Sequence, residues 1–267
     1  MTRPGRLVLL GHPVSHSLSA RFQDAALRAA GIPIRYEPLD VVPEALHTTL
    51  DALIAAGSAG NVTVPHKQSV YARCHTRTPL AERVGAVNTF WSENGDLVGD
   101  NTDVDGFDAA VRRAFGVPCD GIRVAVLGAG GGAAAVLAAV ERWPGATAVL
   151  VSRSPARALS LAARFSRIAT VAGVPADAMR DAGMVVNATP VGLVDDGVPV
   201  DPRLLDRDTL VFDLAYRRGS TAWVQLARAR GLKAEDGLGM LIEQGALAFE
   251  RWFGVRPDKA RMWEAVA

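Results

Sequence analysis

The sequence predicts an α/β protein of two domains, the second built on an open, doubly wound parallel sheet. Three observations carry that expectation. Short strand-like runs alternate with helical patterns along most of the chain. Two of the runs, RVAVLG (123–128) and MVVNAT (184–189), are apolar without polar alternation, as strands covered on both faces are. A glycine-rich turn joins the first of these to an alanine-rich helical segment. The 267 residues, 49% of them hydrophobic, suffice for one large core or two modest ones.

Strands are expected at 6–11, 34–41, 60–65, 86–91 and 96–101, then at 123–128, 147–153, 169–173, 184–189 and 209–214. Their alternation with helices argues for parallel pairing. The stretch PEALHTTLDALIAAG (43–57) spaces its leucines and alanines three and four apart and stops at a glycine, as an amphipathic helix does. One helix and a Pro/Gly turn fill 100–121 and separate two alternating regions. The second domain is therefore set at 103–237, and the first at 1–102 together with 238–267. The last long helix, 238–254, carries too many large apolar residues for a peripheral crossover and is expected to return to the first domain.

Charge excludes some partners. The 29 basic and 28 acidic residues leave a net charge of +1, with no footprint for nucleic acid or an anionic membrane, so a small molecule is the expected partner. The oligomeric state is not fixed by the sequence, a homodimer being one candidate. Cys74 and Cys119 form no CxxC, and His12, His16, His66 and His75 are scattered as ordinary loop histidines are, so neither a disulfide nor a metal is expected. The apolar run Leu7–Leu10 is short for a signal peptide and no stretch is long enough to span a membrane, so a cytoplasmic location is expected.

Gly128, Gly130 and Ala133 fit G-x-G-x-x-[G/A] between a strand and a helix, the context in which backbone amides approach a pyrophosphate. A tight turn with no ligand has the same local pattern. The following strand ends at VSRSPAR (151–157), which offers no carboxylate for a ribose 2′-hydroxyl. Ser154 can cap the next helix with Pro155 in its first turn, and Arg153 and Arg157 flank the free amides, so NADP is preferred to NAD.

The remaining polar residues leave alternatives open. In GNVTVPHK (60–67), Pro65 suits a helix's first turn, and Lys67 would sit against the positive end of the dipole, which weakens its ammonium form; the segment equally fits a solvated lysine. Asp103, at the start of a helix in GDNTD, suits an N-cap or a carboxylate that orients Lys67, and Asp105 and Asp108 suit first-turn positions. Ser17 and Ser19 reach a loop-to-helix transition where one hydroxyl can cap and another bind an anion. Gln244 lies on the apolar side of its helix and needs partners, either ligand hydroxyls or a backbone carbonyl.

Together the motifs SHSLS, NVTVPHK, GAVNTF, GDNTD, GAGGG, VVNATPVG and DGLGMLIEQGALAF resemble shikimate dehydrogenases over nearly the whole chain. The resemblance implies a substrate domain, a Rossmann-type NADP domain and a reduction of 3-dehydroshikimate on the route to aromatic amino acids. It implies that Lys67 and Asp103 are the catalytic pair and that Ser17 and Ser19 bind the substrate carboxylate. Asn61, Thr63, Asn88, Asp103, Tyr216 and Gln244 would complete the substrate site. Gly128, Ala129, Gly130, Gly131, Gly132, Ala133, Ser152, Arg153, Ser154, Arg157, Asn187, Ala188, Thr189, Leu214 and Gly237 would bind NADP. The chain departs from the family pattern at Ala20, Gln23–Asp24, Ala134 and Ser152, which touches the first helix and the charge near the cofactor but not Lys67 or Asp103.

Among the four pairings of shikimate or quinate with NADP or NAD, shikimate with NADP is expected to give the highest kcat/KM in steady-state assays. A preference for quinate with NAD would overturn the substrate and cofactor assignments together.

Overall fold

The computed structural model describes residues 4–15 and 17–267; His16, counted above among the loop histidines, and residues 1–3 lie outside them. The chain divides into two compact units. One comprises the residues up to Gly106 with Leu241–Ala267, and the other is Phe107–Met240.

The first unit holds a six-stranded sheet of β1 (Leu7–Gly11), β2 (Tyr36–Asp40), β3 (Ala59–Val62), β4 (Thr76–Arg77), β5 (Thr89–Glu93) and β6 (Asp96–Asp100), in the order β2-β1-β3-β5-β6-β4. The helices α1 (Ser19–Ala29), α2 (Leu46–Ala55), α3 (Lys67–Arg73) and α4 (Pro79–Val84) connect its strands, and α5 (Asp103–Phe115) leads out of it. The expectation of parallel pairing fails at one strand: β5 runs antiparallel to both β3 and β6. The cause is local. Asn94 and Gly95 both have positive φ, 53° and 85°, and close a two-residue hairpin in which Glu93 faces Asp96. An Asn-Gly pair between apolar runs was a readable signal for that hairpin. Pro43–Ala45, expected inside α2, forms a separate 3₁₀ turn ahead of it.

The second unit is a parallel sheet of β7 (Arg123–Leu127), β8 (Thr147–Val151), β9 (Ala169–Val171), β10 (Met184–Asn187), β11 (Leu210–Asp213) and β12 (Ala234–Glu235), in the order β12-β11-β10-β7-β8-β9. Its helices are α6 (Gly131–Val140), α7 (Pro155–Arg164), α8 (Pro175–Met179) and α9 (Ala222–Ala229). Winding outward in both directions from β7 and β10 makes the sheet doubly wound and puts its switch point between those strands. The two-residue strands β4 and β12 carry too little pattern to read from sequence.

The chain then enters α10 (Leu238–Phe253) and α11 (Lys259–Glu264). Along β1, side chains alternate between two cores. Leu7 and Leu9 join Phe22, Tyr36, Ile242, Phe249, Trp252 and Met262 on one face, whereas Val8 and Leu10 join Leu50, Val62, Val87 and Phe90 on the other. The last helices thus close one face of the first sheet. In the second unit Trp223 and Val224 of α9 pack on Ala125, Val185 and Val211, and the ring of Phe212 meets Phe107 edge to face. Both cysteines are free, and burial pushes the Cys74 thiol up to about 11.

Phe249 is fully buried in the core that α10 completes. Phe249→Ala is expected to cost about 3–5 kcal/mol in chemical denaturation, the range for a large ring leaving a cavity.

Candidate active site

Two side chains from other parts of the first unit converge on one carboxylate. Asp103 is the first residue of α5, and its side chain is 7% exposed. Its Oδ2 accepts from Lys67 Nζ at 2.6 Å, and its Oδ1 accepts from Asn88 Nδ2 at 2.8 Å. With both oxygens taken by side chains, this carboxylate does not cap the helix. Asn101 does related work instead, its Oδ1 accepting from the Asp103 backbone N–H at 3.1 Å.

Lys67 is the first residue of α3 and its side chain is 21% exposed, so it is neither freely solvated nor sealed. Pro65 is not in the first turn: His66 occupies the N-cap, and Pro65 precedes it. His66 is a buried histidine rather than a loop one, with a ring nitrogen 2.6 Å from the Val41 carbonyl. Among the described residues no group of three or more His, Cys, Asp or Glu could hold a metal ion.

Asn88, just before β5, binds the assembly together. Its Nδ2 lies within hydrogen-bond distance of Thr102 Oγ1, Asp103 Oδ1 and Gln244 Oε1, and its Oδ1 accepts from the Thr102 backbone N–H at 2.7 Å. Gln244 reaches it from α10 because α5 comes very close there: a Cβ on Gly106 would lie 2.9 Å from the Gln244 backbone nitrogen. The Gln244 Nε2 donates to the Leu241 carbonyl, so both expected kinds of partner are present in part, a backbone carbonyl on one side and the polar cluster on the other. Asn61 of β3 is nearly saturated. Its amide hydrogens go to the Asn88 carbonyl and Thr89 Oγ1, and its Oδ1 accepts from Tyr36 Oη at 2.8 Å.

Ser19 begins α1 and Ser17 precedes it, with Ser17 Oγ accepting from the Ser19 backbone N–H at 3.2 Å. Leu18 stands at the N-cap, so neither hydroxyl caps in the usual way, and neither donates to another described residue. Thr63, half-buried between β3 and α3, likewise has a hydroxyl with no described partner.

In the second unit the glycine turn sits at the C-terminal end of β7. Gly128 has φ +116°, and a Cβ there would lie 2.8 Å from the Ala188 carbonyl oxygen, so only glycine fits. Gly130 is the N-cap of α6, and a Cβ on it would meet nothing within 4 Å. The turn therefore leaves open space over the free amides of Gly131, Gly132 and Ala133, which suits a pyrophosphate. A Cβ on Gly132 would touch Leu214, and one on Gly237 would collide with the Leu214 carbonyl at 2.2 Å, so these positions form one neighbourhood with Ala188 and Thr189. Ala129 lies partly exposed within the turn.

At the end of β8, Arg153 and Arg157 are exposed and make no hydrogen bond or ion pair with a described residue. Pro155 is in the first turn of α7 as expected, but the Ser154 hydroxyl makes no capping bond; Ser152 Oγ accepts from the Ser154 backbone N–H instead. Tyr216, two residues past the neighbourhood of Leu214, belongs to this unit, whereas the other expected substrate residues belong to the first.

Sequence reasoning missed Asp213. It ends β11, is fully buried, and accepts from Asn187 Nδ2, the Ala215 backbone N–H and Thr221 Oγ1. Burial pushes its carboxyl up to about 6, against the opposing pull of those three donors. An acid closing the apolar run TLVFD was the available signal.

The shikimate dehydrogenase substrate binding domain matches residues 9–90, and the shikimate 5'-dehydrogenase C-terminal domain matches 237–267. The shikimate dehydrogenase (NADP(+)) of Mesorhizobium japonicum is 41% identical over 93% of this chain and 90% of its own. Shikimate 5-dehydrogenase from Thermus thermophilus, solved in complex with NADP(H) and shikimate, superposes with a TM-score of 0.88 at 41% identity, covering 97% of each chain. Quinate dehydrogenase from Corynebacterium glutamicum in complex with NAD has the same fold at TM-score 0.86 and 30% identity, again over 97% of each chain.

The Asp213 carboxyl keeps its proton up to about pH 6 in the folded chain and releases it near 3.8 when unfolded. Its contribution to stability is therefore present below that interval and lost as pH rises through it, by roughly 3 kcal/mol in the limit. Asp213→Asn does not titrate, so its stability relative to the parent should rise between about pH 4 and about pH 7 and then level off. Denaturation curves across that range check it; a difference independent of pH contradicts it.

Proposed function

The chain belongs to the shikimate dehydrogenase family, which catalyses the reversible NADPH-dependent reduction of 3-dehydroshikimate to shikimate in aromatic amino acid biosynthesis, and we propose that Lys67 and Asp103 are its catalytic pair. The observation that carries the assignment is the 2.6 Å contact between Lys67 Nζ and a largely buried Asp103 carboxylate.

Bound NADPH supplies the hydride. As the keto oxygen gains charge, Lys67 gives it a proton from Nζ, and in the reverse direction the neutral amine takes that proton back. Asp103 holds the ammonium in place through Oδ2, while Asn88 fixes the other oxygen and so the plane of the carboxylate.

The substrate carboxylate is assigned to the Ser17 and Ser19 hydroxyls, whose O–H groups are uncommitted among the described residues. The Thr63 hydroxyl, Asn88, Gln244 and Asp103 are assigned to the ring hydroxyls. Asn61 has no amide hydrogen to spare, so its part is to accept one hydrogen bond and to hold Asn88 and Thr89 in position. Tyr216 is assigned to the substrate as well. For the cofactor, Gly128–Ala133 take the pyrophosphate, and Arg153 and Arg157, with Ser152 and Ser154, take the 2′-phosphate. Asn187–Thr189, Leu214 and Gly237 line the remainder.

Lys67→Ala is expected to lower kcat by roughly 10²–10⁴-fold, the usual worth of a positioned general acid. NADPH affinity, followed by its fluorescence, should stay near that of the parent. Undiminished turnover would remove Lys67 from the mechanism.

A further inference from the structure

At the C-terminal edge of the second sheet, three separate segments meet on one side chain. Asp213 Oδ1 accepts from Asn187 Nδ2 at 2.8 Å and from the Ala215 backbone N–H at 3.0 Å, and Oδ2 accepts from Thr221 Oγ1 at 2.8 Å. Thr221 in turn is the N-cap of α9. The Ala215 carbonyl accepts from the Gly237 backbone N–H at 2.9 Å, which brings a further segment to the same point.

We propose that Asp213 is a positioning residue for the reaction, fixing Asn187–Thr189 and Leu214–Tyr216 relative to each other through the hydrogen bonds its carboxylate accepts. The proposal rests on the cofactor and substrate roles assigned to those segments above.

The chemistry is directional. A carboxylate offers acceptors only, so Asn187 must turn its amide nitrogen toward Asp213 and its oxygen away. That oxygen then accepts from Thr189, from the backbone N–H at 3.0 Å and from Oγ1 at 2.6 Å. Asp213, together with the Val191 carbonyl that accepts from the same Nδ2 at 3.0 Å, thereby sets the rotamer of Asn187, and Asn187 sets Thr189. The second bond to Oδ1 starts the turn that delivers Tyr216. An uncompensated buried carboxylate in this position would be costly, and the raised carboxyl reflects that cost even with three donors present. In a doubly wound sheet a dinucleotide straddles the switch point, here between β7 and β10. Arg153 lies on the β8 side of that point, so β10 and β11 serve the opposite half of the cofactor, the half that reacts.

The test compares Asp213→Ala and Asp213→Asn with the parent enzyme for kcat, for both KM values and for NADPH binding by fluorescence titration, with a thermal unfolding curve for each. Asp213→Ala takes away one of the two acceptors of Asn187 Nδ2 and the acceptor of the Ala215 N–H, and should lower kcat roughly 100-fold, the cost of misplacing reactants by about 1 Å. The dissociation constant for NADPH should rise by less than about threefold, because the contacts at the glycine turn and Arg153 are untouched. Asp213→Asn keeps an acceptor oxygen for both donors and should restore kcat to within about threefold of the parent. If Asp213→Ala does not fold, Thr221→Val, which removes the donor to Oδ2 together with the α9 cap bond from the Val224 N–H, decides: a fall in kcat of about fivefold at unchanged NADPH affinity supports the proposal. Unchanged kcat in the variant that decides overturns it, as does an equal loss in Asp213→Ala and Asp213→Asn, or a loss of NADPH affinity in step with kcat. A parent enzyme that does not reduce 3-dehydroshikimate would instead overturn the functional reading itself.

Discussion

A carboxylate taken out of water must be paired, and Asp103 is almost wholly out of water. Its two oxygens accept from Lys67 and Asn88, which arrive from the start of α3 and the approach to β5. Removing either donor would leave a buried charge short of a partner, a loss of several kcal/mol where it is complete. The pairing therefore constrains everything that holds those donors. The antiparallel β5 brings Asn88 beside Asn61, Thr102 closes on the Asn88 oxygen, and Gly106 lets α10 approach until Gln244 joins them. A network in which each of these buried polar groups has a partner is also one with a single arrangement.

The second unit meets a different constraint, the close approach of backbone. Gly128 packs against Ala188 and Gly237 against Leu214, so the C-terminal ends of β7, β10 and β11 crowd together without side chains between them. Open space is left at Gly130, over the start of α6, and the guanidinium groups of Arg153, just past β8, and Arg157, in α7, have no partner among the described residues. Polar crowding at the other side of the switch point is resolved by Asp213, which accepts from Asn187, Ala215 and Thr221, three donors that favour its ionised form while burial opposes it.

Much of this was legible because it is encoded over short stretches. The continuous apolar runs of β7 and β10 pointed to a buried parallel sheet, and the glycine pattern between β7 and α6 pointed to a tight turn that leaves helix-start amides uncovered. The apolar richness of α10 announced its return to the first core, where Phe249 and Trp252 now lie. Other readings stayed open or failed where two local devices compete. An aspartate at a helix start is as good an N-cap as it is a ligand, and only the 2.6 Å contact to Lys67 separates the two. Ser154 had the right type and place to cap α7, yet Ser152 holds that turn. The Asn94-Gly95 hairpin was readable, but the regular alternation of strands and helices around it masked the reversal of β5.

Local sequence suffices for the two-domain α/β class, the doubly wound architecture, the glycine turn and the expectation of NADP, since each follows from periodicity, backbone conformation or the charge of a few neighbouring residues. Which polar residues become partners is settled only in the folded chain. Lys67 and Asp103, Asn88 and Gln244, and Asn187 and Asp213 are far apart in sequence, and no local propensity brings them together. What does is the cost of leaving a buried donor or acceptor without a complement once the apolar faces have closed.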